Sequence, residues 1–128
     1  MPAAVALQVI NIITRDALAC RAIEAGRMLH AGLCDLMDIY SCIGDVRGRG
    51  LLLGMEIVCN RKNKDSAPDL AEALVISMLE LGLSVHLATF PNGGRAFRIA
   101  PALIISNDEI DQGHRIMDEA FQRVTGIR

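Results

Sequence analysis

A chain of 128 residues is long enough for one domain with a real core, and its formal charge of −2 at pH 7 supplies no basic field to recruit nucleic acid or an anionic membrane. Apolar residues make up 52% of it, yet aromatics make up only 3% and tryptophan is absent, so the core must be built from Leu, Ile, Val, Ala and Met. With a mean hydropathy of +0.33, this is more aliphatic surface than a small domain hides, which predicts a face meant for another domain or subunit.

Residues 3–14 place Val5, Val9, Ile12 and Ile13 at the period of a short helix. The run is broken by Gln8 and Asn11 and shows neither a basic leader nor a small-residue cleavage site, which argues against a signal peptide. No segment reaches the apolar length needed to span a bilayer. Asp16 is placed to cap a second helix that runs to Leu36 or Tyr40, with Leu18, Ala22, Ala25, Leu29, Leu33 and Leu36 on one stripe and Arg21, Glu24, Arg27 and Asp35 opposite. Residues 41–44 break it.

From Val46 to Val58 the pattern changes. Gly48, Gly50 and Gly54 disfavour a helix, and residues 51–58 form an almost unbroken apolar run that carries only Glu56. This predicts a strand pair, or one long bent strand, covered on both faces. Residues 60–65 read as a polar loop. Ser66 and Pro68 open a third helix over 69–81, which Gly82 stops. Residues 83–89 read as a strand, 91–94 as a loop and 97–100 as a final strand. Ser106, with Glu109 three positions on, is a capping box that launches a last helix through Ile110, Met117, Phe121 and Val124. This order of elements, with short connections, predicts an α+β arrangement: a small, mostly antiparallel sheet with helices packed on it.

Several candidate sites dissolve on inspection. Cys20, Cys34, Cys42 and Cys59 show no CxxC and no metal-ligand spacing, so they read as reduced thiols serving as small core hydrophobes in an intracellular protein. The glycines of residues 44–50 precede an apolar strand instead of following one, which removes a dinucleotide-loop reading and leaves a tight turn or bulge. One RGRG in an acidic, aromatic-poor chain offers neither funnel nor stacking for nucleic acid. His30, His86 and His114 fall on three different elements and make a poor metal triad; structural roles suit them better, least clearly for His86, which lies near the Arg98 segment. Arg95 reads as a solvated loop residue.

Arg98 is different. It stands between Phe97 and Ile99 in a segment that otherwise reads as a buried strand. A guanidinium keeps its proton, so among apolar neighbours it requires an anion. Two partners fit equally well: an internal acid such as Glu56, or the carboxylate of an amino or keto acid held bidentately.

The stretches GDVRGRGLLLGMEIV (44–58), LGLSVHLATFPNGGRAFRIAP (81–101) and SNDEID (106–111) resemble the C-terminal domain of class III aminotransferases, the pyridoxal-phosphate (PLP) enzymes of fold type I. Within that class PAAVALQVI, CIGDVRGRGLLLG, GLSVH and FRIAPAL look like 2,2-dialkylglycine decarboxylase. The resemblance covers essentially the whole chain; one departure is Pro101-Ala102, where the family has Pro-Pro. It implies that residues 1–14 are a helix leading from a missing large domain and residues 15–128 the small C-terminal domain. Arg98 matches the arginine that binds the substrate's α-carboxylate. The implied reaction is decarboxylation-dependent transamination, in which a 2,2-dialkylglycine and pyruvate give a ketone, CO2 and alanine.

The same resemblance places the PLP lysine, the other cofactor-binding residues and any catalytic residue in the missing N-terminal large domain. Lys62 and Lys64, the two lysines here, both fall in the polar loop. The class also binds alkali metal ions, but the matching ligands fall outside this chain, so no metal or cofactor ligand is assigned within it. By this likeness the chain is a fragment inactive alone, belonging to a cytoplasmic or mitochondrial homodimer or higher homo-oligomer that acts on an amino-acid or keto-acid substrate. Rival readings are another class III transaminase (ornithine, acetylornithine or another ω-amino acid), a module that binds an amino acid at Arg98 without chemistry, and an interaction domain.

Overall fold

Alternation along the central strand decides where everything else goes. In the computed structural model, which describes residues 2–127, β2 (Leu52–Asn60) buries Leu53, Met55 and Ile57 on one face and turns Leu52 and Glu56, with Gly54 between them, to the other. β1 (Ile43–Arg49) joins β2 through a two-residue turn in which Gly50 takes the left-handed conformation (φ 55). On the other side β2 pairs with β5 (Arg95–Ile99), and β4 (His86–Thr89) closes the order β1-β2-β5-β4, while the short β3 (Asp65–Ser66) pairs with the end of β2. Every pairing is antiparallel.

The helices cover one face of this sheet. α2 (Leu18–Ile39) lays Leu29, Leu33 and Leu36 along it, α3 (Pro68–Glu80) adds Ala71, Leu74 and Met78, and α4 (Asn107–Thr125) adds Ile110, Met117 and Phe121. Each fully buried side chain of this size contributes roughly 1.5–3 kcal/mol, so an aliphatic core suffices without tryptophan. Tyr40, at the end of α2, stacks on Phe121 with ring centroids 4.9 Å apart, and its hydroxyl donates to Asp118 Oδ1 at 2.7 Å. Burial, then the Asp118 carboxylate, push the phenol up to about 12.

The capping box is present: Ser106 Oγ accepts from the Glu109 N–H while Glu109 accepts from the Ser106 N–H. Gly82 (φ 93) ends α3, where the Gly82 N–H donates to Leu79 O and the Leu83 N–H to Met78 O. That closure ties Leu83 to the helix, so β4 begins at His86 and not at 83. α1 (Pro2–Arg15) turns by 65° into α2. It leaves Val5 63%, Leu7 61% and Ile10 58% exposed, part of the uncovered aliphatic surface that composition predicts.

Three expectations need correction. Asp16 does not cap α2: Ala17 occupies the cap position with φ 48 and no side-chain bond, and Asp16 instead accepts from Arg15 Nε at 2.7 Å. Ser66 does not open α3; it lies in β3, where its hydroxyl donates to Gly93 O, and Ala67 precedes the helix. Up to Glu56 the 51–58 run is covered on one face only, because Gly54 and Glu56 give a helix little apolar surface to bury, and only at its end is Val58 buried as well.

Candidate functional site

The uncovered face of the sheet holds the site. Phe97 and Ile99 of β5 point into the core, so strand alternation sends Arg98 to the open side, where it is exposed. Among the described residues no hydrogen bond or ion pair engages its guanidinium. Glu56, the internal acid that could have met it, stands opposite Ala96 one pair further along and faces Lys64 Nζ at 3.7 Å. Arg98 is thus available to an outside anion.

Register places Arg98 in a row that crosses all four long strands. It lies opposite Gly54 of β2 on one side and His86 of β4 on the other, and Gly54 in turn lies opposite Arg47 of β1. A cleft of about 570 Å³ runs over this row, lined by Arg47, Arg49, Gly54, Glu56, Phe90 and Arg98. A second hollow of about 340 Å³ lies on the β4 side, between His86, Arg98, Pro101 and Met117. Arg98 borders both. Arg47 Nη1 donates to Asp45 Oδ2 at 2.6 Å.

The other candidates do not converge on it. Arg95 is no solvated loop residue: it belongs to β5, is half-buried, and Nη1 donates to Gly93 O at 3.0 Å, which steadies the 90–94 loop. His114 Nε2 lies 3.1 Å from Leu29 O, its ring seated over Gly32, and His30 Nδ1 lies 3.5 Å from Cys34 Sγ. His86 alone of the three histidines lines the Arg98 region. Among the described residues no group of three His, Cys, Asp or Glu side chains is placed to hold a metal ion.

The thiols are not uniformly core groups either. Cys42 is buried and Cys34 half-buried, and burial pushes both thiols up; Cys20 and Cys59 are exposed. Lys62 and Lys64 are exposed in the turn after β2, whereas a lysine that forms a Schiff base needs an enclosed, desolvated setting. Neither fits a carbonyl cofactor.

Sequence reasoning passed over Arg61. It donates to Met37 O of α2, to Tyr40 O at 3.1 Å just past the helix and to Ile43 O of β1 at 3.1 Å, tying the end of α2 to the first strand. Sequence reasoning weighed Arg47 only within the RGRG run and not with Arg98, although the alternation of β1 and β2 is the signal that aligns the two.

The family model for class III aminotransferases matches residues 1–121. Similar curated proteins include an uncharacterized aminotransferase of Schizosaccharomyces pombe (36% identical over 122 residues, 94% of this chain and 27% of that protein). The mitochondrial alanine–glyoxylate aminotransferase 2 homolog 2 of Arabidopsis thaliana is 38% identical over 120 residues, 92% of this chain and 24% of that protein. A transaminase from the marine bacterium Virgibacillus superposes with a TM-score of 0.88 at 28% identity, over 97% of this chain and 28% of that one. The chain therefore spans about a quarter of the length of these relatives.

Proposed function

Because the chain belongs to the class III aminotransferase family, we propose that it is the C-terminal part of a PLP-dependent enzyme and that Arg98 grips the carboxylate of its amino-acid or keto-acid substrate. The observation that carries this reading is the exposed guanidinium of Arg98, without an ionic partner among the described residues and bordering two hollows. An arginine fork binds a carboxylate through two parallel hydrogen bonds and so fixes its plane as well as its position. Holding that group dictates how the remaining substituents of the α-carbon are presented, and thereby which bond is broken.

PLP when bound supplies the electron sink for that bond breaking. This chain's residues do not fit the cofactor, since its lysines are exposed in a turn; a cofactor lysine would then lie in the part of the protein corresponding to the three quarters of a relative's length outside these residues. α1, which leaves Val5, Leu7, Val9 and Ile10 uncovered, suits a helix leading from such a domain. The whole enzyme would work as a homodimer or larger homo-oligomer.

For the reaction itself, GDVRGRGLLLG, GLSVH and FRIAPAL favour 2,2-dialkylglycine decarboxylation with amino transfer to pyruvate. A transaminase without decarboxylation is supported as well, by relatives named for alanine–glyoxylate and taurine–pyruvate transfer. Offering 2,2-dimethylglycine with pyruvate to the full-length protein separates the two: CO2 released in step with alanine supports the decarboxylase, and alanine formed from other donors alone supports the transaminase.

Replacing Arg98 by Ala in the full-length protein should raise KM and depress kcat together, a combined loss of about 2–5 kcal/mol in transition-state stabilisation. Unchanged kinetics would overturn the assignment. The 128-residue chain mixed with PLP should give no lysine-linked yellow adduct, and a stoichiometric adduct would overturn the placement of the cofactor lysine elsewhere.

A further inference from the structure

The connection from β5 to α4 begins beside Arg98 and has little beneath it. Its first residues, Ala100 and Pro101, line the smaller hollow together with Arg98 and His86. Farther on, Ala102, Ile104 and Ile105 line another hollow, of about 610 Å³, which reaches Gly113 of α4. A strip of chain bordered by two hollows has few side chains to pack on. Leu103 is 40% exposed and Ile104 71%, and of these residues only Ile105 packs against the core. Segments with so few buried apolar contacts open at low cost, so hydrogen bonds must hold this one.

Arg21, in the first turn of α2, supplies them. Its Nη2 donates to Ile104 O at 3.2 Å and to Ile105 O at 2.7 Å, strapping the connection to a helix more than eighty positions away in sequence. Within the connection the Ile105 N–H donates to Ala102 O at 3.0 Å, and the capping box fixes Ser106 beyond it. Among the described residues no other hydrogen bond ties residues 101–105 to another element. Arg21 makes no ion pair among them either, so no acid draws its guanidinium elsewhere. Pro101 has its φ fixed by its ring, but Ala102 leaves the next residue free to turn.

We propose that Arg21 is a positioning residue of the Arg98 site: by holding the carbonyls of Ile104 and Ile105 against α2, it fixes the wall of Ala100 and Pro101 beside which Arg98 receives its anion. This rests on Arg98 being the carboxylate anchor, and separate variants of the two arginines distinguish the two claims. Without the strap the connection samples several arrangements, of which a fraction presents the wall correctly. The apparent Kd of a substrate then rises by the inverse of that fraction, whereas the complex, once formed, reacts as before.

The test is single-turnover kinetics of the full-length, aminated holoenzyme mixed with pyruvate, with alanine formation followed over a range of pyruvate concentrations. Arg21→Ala should raise the Kd for pyruvate about tenfold and leave the limiting rate within about twofold of wild type. Adding Ala102→Pro to Arg21→Ala stiffens the connection by other means, since the Ala102 N–H donates no hydrogen bond among the described residues, and should recover most of the loss. Exchange of the Ile105 amide should quicken about tenfold in Arg21→Ala while the amides of β5 hold. Arg21→Lys, which keeps the charge on a shorter stem, should give an intermediate Kd and covers the case in which Arg21→Ala fails to fold.

A Kd unmoved in the Arg21 variants overturns the proposal, and if their Tm falls all the same, Arg21 is a plain structural brace. So does a loss confined to the limiting rate, which would place the effect of Arg21 in the chemistry and not in binding, or a loss that Ala102→Pro does not relieve. If Arg98→Gln binds pyruvate as wild type does, or wild type does not bind it, the anchor reading fails instead and takes this one with it.

Discussion

Exchanging glycine for alanine in two helices of this chain should move stability in opposite directions. Gly26 of α2 is buried against the β1–β2 turn, and a Cβ there would lie 2.4 Å from the carbonyl carbon and oxygen of Gly50 and 2.6 Å from its Cα. Those atoms are backbone, so no side-chain rotation relieves the clash: helix and hairpin must part by about 1 Å to restore ordinary contact. Overpacking of this kind costs about 1–3 kcal/mol or more, against a helix-propensity gain of about 1 kcal/mol for the added methyl. The steric term wins, leaving Gly26→Ala less stable by about 1–2 kcal/mol.

Gly113 of α4 is the control, because a Cβ there meets nothing within 4 Å. Only the propensity gain remains, so Gly113→Ala should be more stable by about 0.5–1 kcal/mol. Urea unfolding of the 128-residue chain measures both, and each kcal/mol should appear as about 4 °C in Tm. If Gly26→Ala matches or exceeds wild type, the helix does not lie on the hairpin as described. The loss of the α2 seam would then also remove the support for Arg47 and Arg49, which the same hairpin carries.

Two further outcomes concern polar groups at the end of α2. Tyr40 is the single tyrosine, and its phenol is pushed from 10.0 up to about 12 in the folded chain. A raised folded value means that the stability it confers is complete below the unfolded value and is lost as pH climbs through the folded one. Urea midpoints should therefore fall between about pH 10 and 12 by the equivalent of about 2–3 kcal/mol. Tyr40→Phe should lack that component, at a cost near neutrality of about 1 kcal/mol for the missing bond to Asp118; the same alkaline fall in both proteins would refute it. Arg61→Ala should lose about 1–3 kcal/mol and speed amide exchange in the last turn of α2, with Arg61→Lys recovering only part because an ammonium cannot fork across three carbonyls. A loss below about 0.5 kcal/mol would show those contacts to be idle.

Much of the fold was legible because local chemistry and global packing agree along most of the chain. The stripe of Leu29, Leu33 and Leu36, the capping box at Ser106 and the stop at Gly82 each appear where a periodic or capping signal puts them. The failures have a common physical origin. At Asp16, Ser66 and residues 83–85 several local arrangements lie within about a kcal/mol, and a contact distant or non-periodic in sequence chooses among them. Asp16 is drawn to Arg15, Ser66 to Gly93, and Leu83 back to Met78.

The open sheet face posed a different difficulty. An apolar run such as residues 51–58 suits a strand buried on both sides or on one, and what settles the matter is whether a second layer exists to cover it. Here Leu52, 60% exposed, and Phe90, 44% exposed, flank the arginine row without a helix above them. The same absence of a covering layer leaves Arg98 reachable. Arg98 itself stands out in the sequence because a charge between Phe97 and Ile99 interrupts an apolar strand, whereas Arg47 sits among other polar residues and carries no such contrast. Its bearing on the site comes from register alone: β1 and β5 each pair with β2, and a slip of one residue in either pairing would send Arg47 or Arg98 to the core face. The hydrophobic alternation that buries Val46, Met55 and Phe97 therefore also brings the two arginines into one row, so in this domain packing and recognition are consequences of a single register.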